Sequence, residues 1–290
     1  MSFKIISILV VKNEVDIVGD VIKEASKWSD KIIVLDNHSN DGTWELINSL
    51  KNDNEKIIIW GQYHGKFYDQ IRQRVFQDYK CLANNGDWWC RLDADEIYID
   101  NPREFIKLID KKIDHIESAS FQFYLTERDY VENKTVTYKD LKWYSCNHSE
   151  LRFFRHNDSL IWPQKSNWPI NLVLKSRKKI RLKHYQYRDF LQVKKRINIR
   201  KNNSSDLELF GHERTTDDQW YLRRGFKKPL DEDFVRQRIV LSCDLKCSDN
   251  YVIPSKLKNI EDYWGNDSNL LIVFYVQIMP DDFVMQLHRF

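Results

Sequence analysis

Three carboxylates close a short apolar run in the first third of the chain. Trp88-Trp89-Cys90 is followed, after one arginine, by Leu92-Asp93-Ala94-Asp95-Glu96. Such a run predicts a buried strand, and open α/β sheets bind ligands outside the carboxyl ends of their strands. Divalent cations prefer oxygen ligands, and substrate phosphates and water complete the shell when carboxylates are few. The cluster therefore predicts half of a metal–diphosphate site, with a nucleotide substrate as the other half.

The spacing of Asp93 and Asp95 supports this metal hypothesis. A single residue separates them, so in an extended chain both side chains point to the same side. Neighbouring carboxylates repel each other unless a cation or a proton lies between them. The alternative is a polar strand end, in which Asp95 or Glu96 caps a helix that is predicted to start near Pro102.

Strand and helix patterns alternate over the first hundred residues. Continuous apolar runs predict buried strands at residues 4–11, 31–35, 56–60 and 88–92. Helical spacing of apolar residues predicts helices at residues 16–28, 43–50 and 67–82. Strands that are separated by single helices imply right-handed crossovers and a doubly wound, mostly parallel sheet. We therefore expect an α/β fold with a Rossmann-like nucleotide-binding half at residues 1–115.

The rest of the chain predicts a mixed α/β half and a helical end. A helix is predicted at residues 102–113, and strands at residues 119–125, 150–155 and 179–184. A further helix is predicted to follow and to run through Arg200. We expect residues 116–200 to form the second half of the same domain, on the side of a second substrate, the acceptor. Residues 201–290 are expected to form a mainly helical extension.

Composition excludes several classes of protein. A chain of 290 residues with 42% hydrophobic residues buries a substantial core, and its net charge of +3 argues against a dedicated nucleic-acid binder. No apolar run reaches the roughly 18 residues of a membrane helix, and residues 1–11 lack a signal-peptide cleavage site. The five cysteines show no zinc-like grouping, so we expect a cytoplasmic protein. Basic clusters such as Arg177-Lys178-Lys179 leave open a peripheral contact with the inner face of a membrane.

Two further motifs end the first and second predicted strands. Val11-Lys12-Asn13-Glu14 follows the first strand, and Asp36 ends the second before a turn at residues 37–43. A carboxylate at this edge of the sheet is placed to accept hydrogen bonds from a base or ribose. The alternative for Asp36 is an Asx turn that closes its own loop. Asn13 and Glu14 are equally suited to cap the helix that follows.

In this order, the three motifs resemble the signature of the family 2 glycosyltransferases. They are Val11-Lys12-Asn13-Glu14, residues 34–43, and Arg91-Leu92-Asp93-Ala94-Asp95-Glu96. The resemblance implies the GT-A fold and a nucleoside-diphosphate sugar as donor, for which we favour a UDP-sugar. It also implies Mn²⁺ or Mg²⁺ as cofactor.

The resemblance also implies roles for individual residues. The implied donor contacts are Val11, Asn13, Glu14, Asp36, Arg72, Asp93 and Ala94. The implied metal ligands are Asp93, Asp95 and His184, with Asp95 as the more direct ligand of the two aspartates. A purely structural histidine is the alternative for His184, which we prefer as a ligand over His148 and His212. For Arg72 the alternative is simple solvent exposure.

An inverting transfer needs a general base that accepts the proton of the acceptor hydroxyl. Many family 2 members carry this base as an aspartate at the start of a helix, where Asp189 lies; Glu150 is the rival. The Gln-x-x-Arg-Trp motif of processive members is absent. The sequence thus predicts an inverting, non-processive enzyme of bacterial surface glycan assembly that acts on a glycan or lipid-linked acceptor. A sugar-phosphate nucleotidyltransferase and a non-catalytic glycan-binding module on the same fold are the alternatives.

Overall fold

Four parallel strands form the centre of the sheet that carries the site. The computed structural model describes residues 3–124, 137–141, 143–201 and 240–241. Its parallel strands are β1 (Ile5–Val11), β2 (Lys31–Asp36), β3 (Ile57–Gln62) and β4 (Trp88–Asp93). Every residue of β1 is buried, because its apolar and β-branched side chains are covered on both faces of the sheet. The predicted parallel α/β half is confirmed.

One helix connects each pair of consecutive parallel strands. These helices are α1 (Val18–Ala25), α2 (Thr43–Asp53) and α3 (Ile71–Tyr79). The structure makes α1 and α3 shorter than predicted, since turns flank α1 and a 3₁₀ turn at Lys80–Leu82 follows α3. Apolar spacing marks the buried face of a helix, but it does not show where the flanking turns begin.

The order of these strands places the predicted acidic residues around the end of β1. The order is β3-β2-β1-β4, so the chain moves outward through β2 and β3 and then returns to the other side of β1. Val11 pairs with Asp36 on one side, and Val10 pairs with Asp93 on the other. Open α/β sheets bind ligands at such a reversal of strand order.

Antiparallel strands extend this sheet and bring later residues to β4. β5 (Glu96–Tyr98) follows β4 and precedes α4 (Pro102–Lys107). The predicted helix at residues 102–113 is therefore too long at its carboxyl end; at its start, Asn101 accepts hydrogen bonds from two backbone N–H groups as the N-cap. β6 (His115–Tyr124) begins four residues before the predicted strand at residues 119–125.

The remaining strands complete a mixed sheet. They are β7 (Trp143–His148), β8 (Leu151–Arg155), β9 (Ile180–His184) and β10 (Val240–Leu241), and α5 (Phe190–Lys201) follows β9. β8 runs antiparallel to β4, and β5 pairs with β9 so that Glu96 lies opposite His184. This combination of parallel and antiparallel strands confirms the predicted mixed α/β fold class.

The chain divides into two compact units. Unit 1 consists of residues 1–120 and 148–184, and unit 2 consists of residues 121–147 and 185–290. Every predicted site residue except Asp189 belongs to unit 1. Most of the predicted helical extension, together with His212, lies outside the described residues. Within the described part of the chain, no helix is long and apolar enough to cross a membrane.

Candidate functional site

The acidic motif bends at the end of β4. Asp93 is the last residue of the strand, residues 94–95 form a turn, and Glu96 opens β5. The extended geometry that we expected for Asp93 and Asp95 is therefore wrong. As a result of the turn, the two aspartates have different partners.

Asp93 is surrounded by arginines. Arg72 of α3 donates a short hydrogen bond to Asp93 Oδ1, to which Arg91 Nε lies 3.4 Å away. Arg152 of β8 brings Nη2 to 3.2 Å from Asp93 Oδ2. Burial alone would raise the pKa of Asp93, but Arg91, Arg72 and Arg152 outweigh it and hold this pKa well below its usual range. Asp93 is thus a charged carboxylate whose two oxygens face guanidinium groups.

Arg152 connects Asp93 to two more carboxylates. Its side chain is fully buried, with Nη2 at 2.5 Å from Glu96 Oε1 and Nη1 at 2.9 Å from Glu150 Oε2. Burial raises the pKa of Glu96 to about 7, although Arg152 opposes the shift. A single guanidinium that is shared by three carboxylates does not fully compensate the desolvation of Glu96.

Asp95 forms a separate pair with His184. Asp95 Oδ2 lies 3.4 Å from His184 Nε2, and the two side chains are 12% and 13% exposed. Burial would lower the pKa of His184, but the Asp95 carboxylate, with a smaller contribution from Glu96, raises it. Among the described residues, His184 Nδ1 is buried without a hydrogen-bond partner and lies 3.9 Å from Glu96 Oε1.

The Asp95–His184 pair fits a divalent cation better than Asp93 does. A carboxylate oxygen and an imidazole nitrogen already face each other, and both are ligands that divalent metal ions accept. Asp93, by contrast, would have to give up an arginine contact to bind a metal directly. Among the described residues, no three His, Cys, Asp or Glu side chains form a metal-binding group. The pair would therefore leave the other coordination positions to phosphate and water.

The Asp36 carboxylate holds its own loop together. It is fully buried and accepts hydrogen bonds from Ser39 N at 3.0 Å and from Gln62 Nε2 at 2.9 Å. The Ser39 hydroxyl donates to Asp36 at 2.5 Å and accepts from Asn13 N at 2.8 Å. These are the bonds of the Asx-turn alternative, and the nucleoside contact of Asp36 stays a prediction.

Asn13 and Glu14 hold the loop after β1 in place. The N-cap residue of α1 is Ile17 rather than Asn13 or Glu14, and the Glu14 backbone carbonyl accepts a hydrogen bond from Val18 N, the first residue of α1, at 2.8 Å. Asn13 has a φ of 55° and accepts a hydrogen bond from Asn40 N at 2.8 Å. Glu14 N donates to Thr43 Oγ1 at 2.9 Å. Because asparagine tolerates the left-handed region, this residue type suits the bend beside the strand end.

The other predicted site residues lie in several surroundings. Val11 and Ala94 are buried beside the strand ends, and Arg72 is buried against Asp93 rather than exposed to solvent. Glu150 directly precedes β8 and bonds to Arg152. Asp189 directly precedes α5 in unit 2, where its Oδ1 accepts a hydrogen bond from Gln192 N at 2.9 Å. The metal, donor and base roles of these residues stay predictions.

Sequence reasoning missed Arg91 and Arg152, which hold Asp93 together with Arg72. A signal was present in β8, where Arg152 lies between Leu151 and Phe153-Phe154. A charged residue inside an apolar strand predicts a buried ionic partner. The identity of that partner was not readable from the sequence, since β8 pairs with β4 from a distant part of the chain.

No family model matches the chain, and neither does any curated protein. Among solved structures, the chain is similar to the mannosyltransferase PcManGT from Pyrobaculum calidifontis in complex with GDP-Man and Mn²⁺. The sequence identity is 11% and the TM-score is 0.41, over 67% of this chain and 61% of that chain. The chain thus spans less than two thirds of the length of PcManGT.

Two other solved structures are more distant in shape. TarS 1-349 of S. aureus is 11% identical, with a TM-score of 0.37 over 75% of this chain and 68% of that chain. Glucosyl-3-phosphoglycerate synthase from Mycobacterium tuberculosis, in complex with phosphoglyceric acid, is 19% identical, with a TM-score of 0.27 over 44% and 46%. All three TM-scores lie below 0.5.

Proposed function

We propose that this chain is a glycosyltransferase of the GT-A type that moves a sugar from a nucleoside-diphosphate sugar to a hydroxyl acceptor. The observation that carries the proposal is the Asp95–His184 pair next to Asp93, at the strand end where the strand order reverses. This position suits the phosphates of a nucleotide. A carboxylate and an imidazole that face each other there suit the cation that such phosphates need.

The chain supplies a fixed, charged frame for the departing diphosphate. Asp95 and His184 would hold Mn²⁺ or Mg²⁺, which would supply positive charge against the negative charge of the leaving group. Arg72, Arg91 and Arg152 hold Asp93 in place and keep it ionised. A preorganised frame of this kind does not have to rearrange while the reaction proceeds.

A donor screen tests the proposed function. The melting temperature of the full chain is measured with UDP-, GDP-, CMP- and dTDP-sugars, with and without manganese. We expect one donor, for which we favour a UDP-sugar, to raise the melting temperature only when manganese is present, because ligands that bind the folded state stabilise it. Transfer of the sugar to an acceptor then separates an enzyme from a glycan-binding module. The proposal fails if no donor stabilises the chain under either condition.

We propose an inverting and non-processive transfer in bacterial surface glycan assembly, with Asp189 or Glu150 as the base. Glu150→Gln and Asp189→Asn each keep the shape of the side chain but remove its capacity to accept a proton. Loss of a general base costs about 10²- to 10⁴-fold in rate. We expect kcat to fall by such a factor in one of these variants, whereas the manganese-dependent donor stabilisation is unchanged.

Glu150→Gln and Asp189→Asn serve as controls for each other. Glu150→Gln also loses the charged contact to Arg152, so its unfolding free energy is measured together with kcat. If both variants keep their activity, neither carboxylate is the base. A product that carries several added sugars from a single encounter would contradict the non-processive transfer.

A further inference from the structure

A loop of unit 1 exposes four aliphatic side chains. Ile161, Ile170, Val173 and Leu174 have exposed fractions of 54%, 63%, 84% and 44%. They lie between β8 and β9, and we call residues 159–179 the aliphatic loop. Single exposed aliphatic residues are common on protein surfaces, whereas exposed aliphatic residues that lie together are typical of interaction sites, and Ile161 and Ile170 are joined by a backbone hydrogen bond.

The same loop turns its other large side chains inward. Trp162 belongs to the hydrophobic core, and Leu160, Trp168 and Leu172 are partly buried against that core. Ile161 thus lies between the inward residues Leu160 and Trp162, and Val173 follows the inward Leu172. These inward side chains anchor the loop on the core, while its four aliphatic residues stay exposed.

Hydrogen bonds fix the backbone that presents these side chains. The Asp114 carboxylate accepts from Val173 N at 2.7 Å and from Leu174 N at 3.0 Å. Ile161 N donates to Asn171 Oδ1 at 2.9 Å, and Ile170 N donates to Ile161 O at 2.9 Å. Turning the aliphatic side chains inward would break these bonds, so their exposure is built into the fold.

The aliphatic loop is also strongly basic. Residues 159–179 contain no aspartate or glutamate, and their five cations are Lys165, Lys175, Arg177, Lys178 and Lys179. Lys175 and Lys179 lie 3.2 Å and 3.7 Å from the Glu117 carboxylate. Lys165, Arg177 and Lys178 are exposed and form no ion pair with a described residue. Their positive charge is available to an anionic partner.

We infer that the aliphatic loop is a docking site for an anionic lipid bilayer. Exposed aliphatic side chains beside unpaired cations match the two layers of a membrane surface, namely acyl chains below and phosphate headgroups above. A nucleic acid would use the cations but leave Ile170 and Val173 in water. This inference goes beyond glycosyl transfer and does not depend on it, because it concerns the exposed aliphatic and basic side chains of the loop. On its inner side, Trp168 of the loop packs against Arg91.

Vesicle co-sedimentation of the full chain tests this inference. The vesicles contain phosphatidylcholine alone, or phosphatidylcholine and phosphatidylglycerol in equal parts. We expect the chain to sediment with the anionic vesicles at low salt and to be released as salt screens the cations. Absence of sedimentation at low salt overturns the inference, as does equal binding to both kinds of vesicle.

Paired substitutions locate the contact on the chain. Ile170→Ser with Val173→Ser removes the aliphatic contribution, and Arg177→Gln with Lys178→Gln removes two charges. We expect each pair to weaken vesicle binding by roughly tenfold or more. If anionic-vesicle binding survives both pairs unchanged, the lipid contact lies elsewhere and the inference fails.

Matched controls separate the loop from general effects. Lys23→Gln with Lys51→Gln removes the same amount of charge from exposed positions on α1 and α2. Because these positions lie outside the aliphatic loop, we expect the affinity for anionic vesicles to stay within about twofold of wild type. Ile170→Leu with Val173→Ile keeps the aliphatic surface, so this double variant should retain the wild-type affinity for anionic vesicles. Thermal unfolding of each variant verifies that the fold is intact.

Discussion

Asp95→Asn is expected to abolish manganese-dependent donor stabilisation and to lower kcat by on the order of a hundredfold or more. The amide keeps the volume of the carboxylate but loses the negative charge that attracts a cation. Asp93 is a poor substitute, because Arg72, Arg91 and Arg152 already surround its oxygens. Calorimetric titration of manganese in the presence of the nucleotide, together with steady-state rates, measures both effects.

Asp53→Asn is the control for this experiment. Asp53 is an exposed carboxylate at the end of α2, and its replacement also removes one negative charge. It should leave manganese affinity and kcat unchanged. If Asp95→Asn retains the manganese dependence of the wild-type chain, the cation is bound elsewhere and the proposed role of the Asp95–His184 pair is wrong.

The parallel half of the fold was readable from the sequence for a physical reason. A strand that is covered on both faces needs mostly apolar residues, so β1 and β2 appear as apolar runs, and the one polar residue inside β1, Ser7, is hydrogen-bonded to Ser29. Turn-forming and acidic residues follow each run and mark its carboxyl end. The positions of Asp36 and Asp93 at strand ends follow from this local information.

The partners of these residues were not readable, because they come from distant parts of the chain. Glu96 lies opposite His184 only through the pairing of β5 with β9. The arginines around Asp93 come from α3, β4 and β8, three separate elements. The spacing of Asp93 and Asp95 also predicted an extended chain between them, which is wrong. Residues 94–95 form a turn between β4 and β5, and the spacing does not show this turn.

Arg152→Met is expected to lower the free energy of unfolding by about 3–5 kcal/mol, because it leaves buried carboxylates without a compensating charge. Glu96 is most affected, since it is fully buried and its Oε1 lies 2.5 Å from Arg152 Nη2. Urea denaturation at about pH 8 measures the loss. At this pH the Glu96 carboxyl of the wild-type chain is ionised, because its pKa is about 7; loss of Arg152 raises this pKa further in the variant.

Arg155→Met, on the same strand, is the matched control. Arg155 stacks on Trp88 and donates to Ile113 O, but it shares none of the site carboxylates, so we expect a loss of roughly 1 kcal/mol. Glu96→Gln combined with Arg152→Met removes both members of the pair and should recover part of the lost stability, giving a coupling energy of about 1–3 kcal/mol. If the double variant is as unstable as the sum of the two single variants, Arg152 contributes packing rather than charge. Asp93 would then depend on Arg72 and Arg91 to stay ionised, and the frame proposed for the diphosphate would be made by α3 and β4 without β8.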